Sequence, residues 1–300
     1  MKRTLLSFLC ALTALSAVSP ALAEAQKNEL AHAPECANLQ IETYRGTSVG
    51  GTLTATDPEG EAVTYSLATE PMKGTVELHE DGTFIYTPKE NKRGKDYFGY
   101  KATDTEGNTS QEATVIIKIK KQKSDVTYDD MANRAEGYGA VCLAENGVFV
   151  GECVAGHWLF RPDTAVERGE FLAMCLAMKD EPVLQGVMTT GFGDDKAIPV
   201  WAKGYVSTAR MNGAVEGYSD GKRVVFDASR PITCAEAAVI LDRMLQPEAV
   251  SGAAPMTVPA WARQAAANLA AGRLWPDGMD GDQPLTRADC ASMLAKITHS

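Results

Sequence analysis

The sequence predicts a multidomain fold: an all-β sandwich followed by a mainly α region of three helix–loop–helix repeats. Three observations carry this reading. Between residues 37 and 121, short stretches alternate apolar and polar side chains with period two and are separated by turn residues. From residue 128 onward the apolar period lengthens to the helical one. Within that second region two short signatures recur three times in the same order. A length of 300 residues suits about two globular domains at roughly 100–200 residues each.

The chain opens with Met1-Lys2-Arg3, an apolar run from Leu5 to Val18, the breaker Pro20 and the small-x-small site Ala21-Leu22-Ala23. This pattern predicts a secretory signal peptide over 1–23, since the run is short for a bilayer span and ends in a cleavage site. No later segment approaches 18 uncharged apolar residues, so no transmembrane segment is expected after cleavage. The full chain has 39 acidic and 29 basic residues, a net charge of −10. Removing 1–23 takes Lys2 and Arg3 with it, leaving 27 basic against 39 acidic, or −12. With 45% hydrophobic and 23% charged residues, a wholly disordered chain is excluded. A nucleic-acid partner is not expected, because no global basic footprint exists. Of the six cysteines left after export, Cys142 and Cys153 flank a turn and are the candidate disulfide.

Residues 24–36 read as a polar spacer and 37–121 as the sandwich. Its strands are Val63–Leu67, Gly74–Leu78, Thr83–Thr87, Tyr97–Ala102 and Ala113–Ile119. Asp57-Pro-Glu-Gly60, Asp81-Gly82 and Asp104-Thr-Glu-Gly107 supply the turns between them. The strings Ala55-Thr-Asp-Pro-Glu-Gly60, Asp81-Gly-Thr-Phe84 and Tyr86-Thr-Pro88 resemble the bacterial cadherin-like, Ig-like modules of surface proteins. That resemblance implies a spacer or adhesive unit with a partner of its own, sometimes stiffened by calcium. Asp57, Glu59 and Asp104 are the oxygen donors that could suit Ca²⁺, while Asp and Glu beside Gly are also ordinary turn formers. No other cofactor is expected.

A polar linker over 122–127 precedes the repeats, placed at 128–180, 190–246 and 254–298. The first helix of each ends near a glycine, in Glu145-Asn-Gly147, Met211-Asn-Gly213 and Ala271-Gly272, where a left-handed residue closes a helix. The second helix opens with Val166-Glu-Arg-Gly-Glu170, Ile232-Thr-Cys-Ala-Glu236 and Leu285-Thr-Arg-Ala-Asp289. Thr233 and Thr286 are natural N-caps, each with an acid three residues on. Pro199-Val-Trp-Ala202 matches Pro259-Ala-Trp-Ala262, with proline preset for a first turn.

These features resemble the S-layer homology (SLH) domain: an aromatic-x-Asp start, a Trp-Ala helix, a Gly-Tyr-x-Asp-Gly loop and a Thr-Arg-Ala-Glu helix. The second copy shows Phe192-Gly-Asp194, Trp201-Ala202, Gly217-Tyr-Ser-Asp-Gly221 and Ile232-Thr-Cys-Ala-Glu236. The resemblance implies a pseudo-trimeric bundle whose grooves bind cell-wall polysaccharide, often carrying pyruvate ketals, or modified peptidoglycan in cells with an outer membrane. It nominates Arg168 and Arg287 for a carboxylate, which a guanidinium meets with a planar fork. It nominates Trp201 and Trp261 for stacking on sugar rings, and Asp130, Asp194, Gly217, Ser219 and Asp220 for shaping the grooves. No copy is complete: Ala135 stands at the Trp position of the first, Cys234 replaces Arg in the second, and no Asp precedes Trp261. Core packing of the tryptophans and pairing of the arginines with nearby acids are the competing readings.

Catalysis is not expected. Gly217-Tyr-Ser-Asp-Gly221 has the spacing of a hydrolase elbow, but a helix precedes it and an extended run follows, the reverse of what that turn requires. Cys153 and His157 lack a second pair at zinc-ligand spacing. The expected protein is a secreted, non-catalytic one, held at the cell surface by its repeats, with the Ig-like module outward. An adhesin or S-layer component is the alternative class, and a wall hydrolase the least favoured.

Overall fold

The computed structural model describes residues 32–250, 257–275 and 279–297. The signal-peptide and cleavage-site expectations lie outside the described residues, as does most of the spacer.

The first domain is two facing sheets. Strands β2 (Leu39–Tyr44), β9 (Ala113–Lys120), β8 (Gly94–Thr103) and β5 (Thr64–Thr69) form one sheet in that spatial order, with β2 parallel to β9. Strands β3 (Val49–Thr52), β7 (Thr83–Pro88) and β6 (Gly74–Leu78) form the other. Short β1 (Glu35–Cys36) and β4 (Ala55–Thr56) pair at one end. Period two decides which side chains enter: Phe98 and Tyr100 alternate inward along β8, and Val115 and Ile117 along β9. They meet Phe84 and Tyr86 of β7, and all six are essentially fully buried. Asp96 is buried among them with both oxygens hydrogen-bonded: the Tyr86 hydroxyl donates to it at 2.8 Å and the Met72 and Lys73 amides at 3.1 and 2.8 Å. All five strands expected from the sequence form. The strands at 39–44 and 49–52 are additional, the latter weakly marked because Gly50 and Gly51 interrupt its apolar pattern.

The second region is three helix–loop–helix units. Unit 1 has α1 (Gly137–Glu145), a hairpin of β10 (Glu152–Val154) and β11 (His157–Leu159), and α2 (Arg168–Met178). Unit 2 has α3 (Val200–Met211), a hairpin of β12 (Tyr218–Ser219) and β13 (Val224–Val225), and α4 (Cys234–Leu245). Unit 3 has a 3-10 turn (Ala260–Ala262) running into α5 (Arg263–Ala271), and then α6 (Arg287–Ile297).

The units are linked in a ring. α2 packs on α3, α4 on α5, and α6 returns to α1, so each second helix packs on the first helix of the following unit. At the centre three buried residues exchange backbone hydrogen bonds cyclically. The Val166 amide donates to the Leu285 carbonyl (2.9 Å), Leu285 to Ile232 (2.8 Å), and Ile232 to Val166 (2.9 Å). The opening amides of each second helix, which have no partner inside their own helix, donate to the next unit. Arg168 and Gly169 find Arg230 and Ala228, Cys234 and Ala235 find Gln283 and Gly281, and Arg287 and Ala288 find Thr164 and Pro162, all at 2.8–3.0 Å. A unit taken alone would leave these donors and its apolar faces unpartnered.

The sandwich is joined to unit 1 by more than the linker. Tyr44 stacks on Tyr138 at 5.5 Å, with the Lys120 ammonium 5.2 and 5.8 Å from the two rings. The Gly50 amide, on an edge of β3, donates to the Ala135 carbonyl at 2.8 Å. The linker itself is tied down, as the Lys123 and Ser124 amides donate to the Glu145 carboxylate at 2.8 and 2.6 Å.

Candidate functional site

Unit 2 is built around a hairpin that its own aspartate clamps. Asp194 accepts from the amides of Phe226 (3.0 Å) and Asp227 (2.7 Å), where the chain leaves β13. Asp130 does the same for Phe160 (2.9 Å) and Arg161 (2.7 Å) in unit 1. Both aspartates therefore shape the loops from behind. Gly217 turns into the hairpin at φ +75°, and a Cβ there would lie 2.6 Å from the Phe192 ring and from the Val225 carbonyl. Any other residue would meet both the left-handed backbone and this crowding.

A groove of about 620 Å³ runs between loop 214–218, the outer face of α4 and the two neighbouring units. Arg168 reaches it from unit 1, Gly217 and Tyr218 border it from unit 2, and Trp261 enters from unit 3. Trp261 is 62% exposed and Trp201 50%, so neither is core. The Arg168 side chain is only 7% exposed at the groove floor. Its Nε donates to the Phe226 carbonyl (3.0 Å), its Nη1 lies 3.1 Å from Glu236 Oε1, and its guanidinium sits 5.1 Å from the centre of the Phe226 ring. The pairing with an acid that the sequence left open is thus present at Arg168.

Glu236 organises this floor. Its Oε1 also accepts from Arg230 Nη2 at 2.6 Å, and its Oε2 accepts the Thr233 amide at 3.1 Å in the expected capping box. Burial raises the Glu236 carboxyl, but the Arg230 hydrogen bond and the Arg168 charge outweigh it and hold the group below the usual glutamate range. Burial pulls the Arg168 guanidinium below its usual range, and Glu236 opposes that shift. The Tyr218 hydroxyl donates to Asp227 at 2.8 Å beneath the Arg230 guanidinium, 5.6 Å from the ring centre. Three arginines (168, 230 and 243) and two glutamates (216 and 236) line the groove, a surplus of one positive charge in an acidic chain.

Arg287 bears the same relation to unit 1 that Arg168 bears to unit 2. Its Nη1 donates to the Phe160 carbonyl at 3.5 Å, and its guanidinium lies 5.0 Å from the Phe149 ring centre. Its acid, Glu152, is 3.9 Å away, a looser pair than that of Arg168. Trp201 lies beside Gly169 at the start of α2. Ser219 and Asp220 fall at the hairpin tip, outside the groove lining. The Ser219 hydroxyl accepts the Gly221 amide, and Asp220 accepts the amides of Lys222 and Arg223. Sequence reasoning missed Arg230 and Arg243, and saw Glu236 only as a cap. Arg230 had one signal, a cation before Pro231 where the other units have Thr164 and Gln283.

Two expectations are corrected. Cys142 and Cys153 do not form a disulfide: Cys142 is buried on α1, whereas Cys153 is exposed on the hairpin, so a sequence turn between them does not bring the two thiols to one face. Asp57, Glu59 and Asp104 do not assemble a calcium site, and no three such side chains are grouped to hold a metal among the described residues. Turns take up one oxygen of each aspartate, and Asp57 Oδ2 is buried without a partner. Asp57 Oδ1 accepts the Glu59 and Glu61 amides, Asp104 Oδ1 accepts those of Glu106 and Asn108, and Glu59 pairs with His32.

Comparison with known proteins gives two domains. Residues 31–121 match the bacterial cadherin-like domain, and residues 191–238, which contain α3, the clamped hairpin and the start of α4, match the S-layer homology domain. Both are non-catalytic modules, and the second is a cell-wall-anchoring one. No curated protein matches the chain. Among solved structures, the endo-fucoidan hydrolase MfFcnA4 of glycoside hydrolase family 107 is 17% identical, with a TM-score of 0.25 over 30% of this chain and 14% of the hydrolase. An SrpA adhesin mutant from Streptococcus sanguinis is 20% identical, with a TM-score of 0.24 over 32% of this chain and 65% of the adhesin. The PKD domain of an M14-like peptidase from a Thermoplasmatales archaeon is 22% identical, with a TM-score of 0.22 over 29% and 92%. Likenesses this slight leave function to the chain's own residues. No helix among the described residues is long and apolar enough to cross a membrane.

Proposed function

We propose that units 1 and 3 are diverged S-layer homology repeats. With the matched domain they form a pseudo-trimer that holds an exported protein non-covalently to the cell wall. The ligand is an acidic secondary wall polysaccharide, pyruvylated sugars being the class that fits, and the cadherin-like domain is carried outward as a spacer or adhesive module. One observation carries this reading: Arg168, Gly217 with Tyr218, and Trp261 come from three different units and border one groove. A half-exposed indole suits a sugar face, and the arginine-rich floor suits a carboxylate. The roles of Arg287 and Trp201 follow by the same relation around the ring. The test is retention of the purified protein on cell walls before and after extraction of the secondary polymer. Retention should fall on stripped walls. Equal retention would sink the polymer-specific reading and favour modified peptidoglycan as the ligand.

A further inference from the structure

The sandwich carries a surface of its own that the grooves do not use. On the outward face of the four-stranded sheet, Lys95 of β8 lies directly opposite Lys118 of β9, and Tyr97 directly opposite Ile116. Tyr97 is 53% exposed and Ile116 36%, large values for residues in the middle of a sheet. The β7–β8 turn adds exposed Lys92 and Arg93, and Lys73 Nζ braces that turn by donating to the Arg93 and Lys95 carbonyls at 3.2 and 2.7 Å. Two acids on this side are engaged, while Glu90 in the β7–β8 turn is exposed. Glu42 takes Lys118 (2.8 Å) and Lys120 (2.6 Å) together, and Glu112 folds over Gly99 and accepts the Thr69 hydroxyl at 2.7 Å. The acidic turns at 57–61 and 104–106 sit at the other end of the same strands.

Like charges directly opposite one another weaken a sheet; Glu42 offsets Lys118 and Lys120, so Lys92, Arg93 and Lys95 are the cations of this face that no acid takes up among the described residues. A flat aromatic and aliphatic platform flanked by cations is what an acidic sugar chain requires. Its ring faces lie on tyrosine, and its carboxylates lie near ammonium and guanidinium groups. The cationic end is also the end joined to unit 1, since Lys120 is where the strand leaves for the linker. We infer that this face of the cadherin-like domain is a second contact surface whose partner is an acidic polysaccharide. The natural source of that chain, the cell wall, rests on the function proposed above, but the surface does not depend on the groove.

The experiment uses the full chain on immobilised polygalacturonate, eluted with a sodium chloride gradient. Wild type should be retained at low salt and released as screening shortens to a Debye length of about 8 Å near 0.15 M. The triple variant Lys92→Glu, Arg93→Glu, Lys95→Glu should bind on the order of tenfold more weakly. Tyr97→Ala should weaken binding while leaving its salt dependence unchanged. In a Trp261→Ala background, which removes the groove's aromatic contact, the triple substitution should weaken binding by the same factor. Wild-type retention by the triple variant would overturn the inference. So would a triple substitution without effect in the Trp261→Ala background, which would assign the binding to the groove. Capture by anionic phospholipid vesicles or duplex DNA without capture by polygalacturonate would also overturn it.

Discussion

Glu236 joins units 1 and 2 at the floor of the groove, and its removal can be worked through. In Glu236→Ala the Thr233 amide loses its acceptor, a capping loss of about 1 kcal/mol. Arg168, almost fully buried, then keeps its charge without its acid. Breaking a buried pair from one side costs roughly 3–5 kcal/mol, and the low end applies because Glu236 is 19% and Arg230 34% exposed. The expected loss is about 3–4 kcal/mol. Glu236→Gln keeps one neutral acceptor and turns the other position into an amide donor, and should lose about 1–3 kcal/mol. All four tryptophans (Trp158, Trp201, Trp261 and Trp275) lie in the helical units and none in the sandwich, so tryptophan fluorescence in urea reports this region alone. The pH dependence has a definite sign. The folded carboxyl is held below its usual range, so its contribution is complete above the unfolded value near ~4.3 and is lost as pH falls through the folded one. Wild type and Glu236→Gln should therefore converge on acidification. An alanine variant within about 0.5 kcal/mol of wild type, or a gap that widens toward low pH, would refute the reasoning.

Three further outcomes follow from single contacts. Trp261→Ala should reduce retention on cell walls several-fold while leaving the unfolding midpoint unchanged, because the indole is mostly in solvent; a large stability loss would return it to the core. Gly217→Ala should destabilise the unit 2 hairpin by about 1–3 kcal/mol, through the positive φ and the 2.6 Å contacts, measurable in the same urea titration. Gly50→Val should push the sandwich off unit 1, since a Cβ there lies 2.5 Å from the Ala135 Cβ; faster proteolysis within 121–127 with both domains intact is the expected readout.

Local chemistry was legible in the sequence because its causes are local. Thr233 and Thr286 each cap a helix with the acid three residues on, as their spacing implies, and Gly217 sits where only glycine fits. What was illegible runs between units. The cyclic hydrogen bonds of Val166, Ile232 and Leu285 use backbone groups that any residue carries, so no side-chain pattern announces them. The Arg168–Glu236 pair joins two motifs read separately, each with a local role that concealed the shared one. The disulfide expectation failed for the opposite reason, because closeness in sequence said nothing about which face of α1 carries Cys142.

Ala135 shows how an apparent defect becomes a structural statement. It occupies the position of Trp201 and Trp261, each twelve residues before the left-handed residue that follows the first helix (Gly147, Gly213 and Arg273), and in the sequence it looks like decay of the first copy. In the structure that position receives the sandwich. The Gly50 amide bonds the Ala135 carbonyl, and the Gly50 Cα comes so close that neither residue has room for a longer side chain. An indole at 135 would expel the β3 edge, and with it the adjoining Tyr44–Tyr138 stack. The missing tryptophan and the attached domain are therefore one feature. Unit 1 lacks the indole that its neighbours present and has instead a fixed mount for the cadherin-like domain, so on the function proposed above the wall contact falls to the groove that Arg168 and Trp261 share and to its counterpart with Arg287 and Trp201.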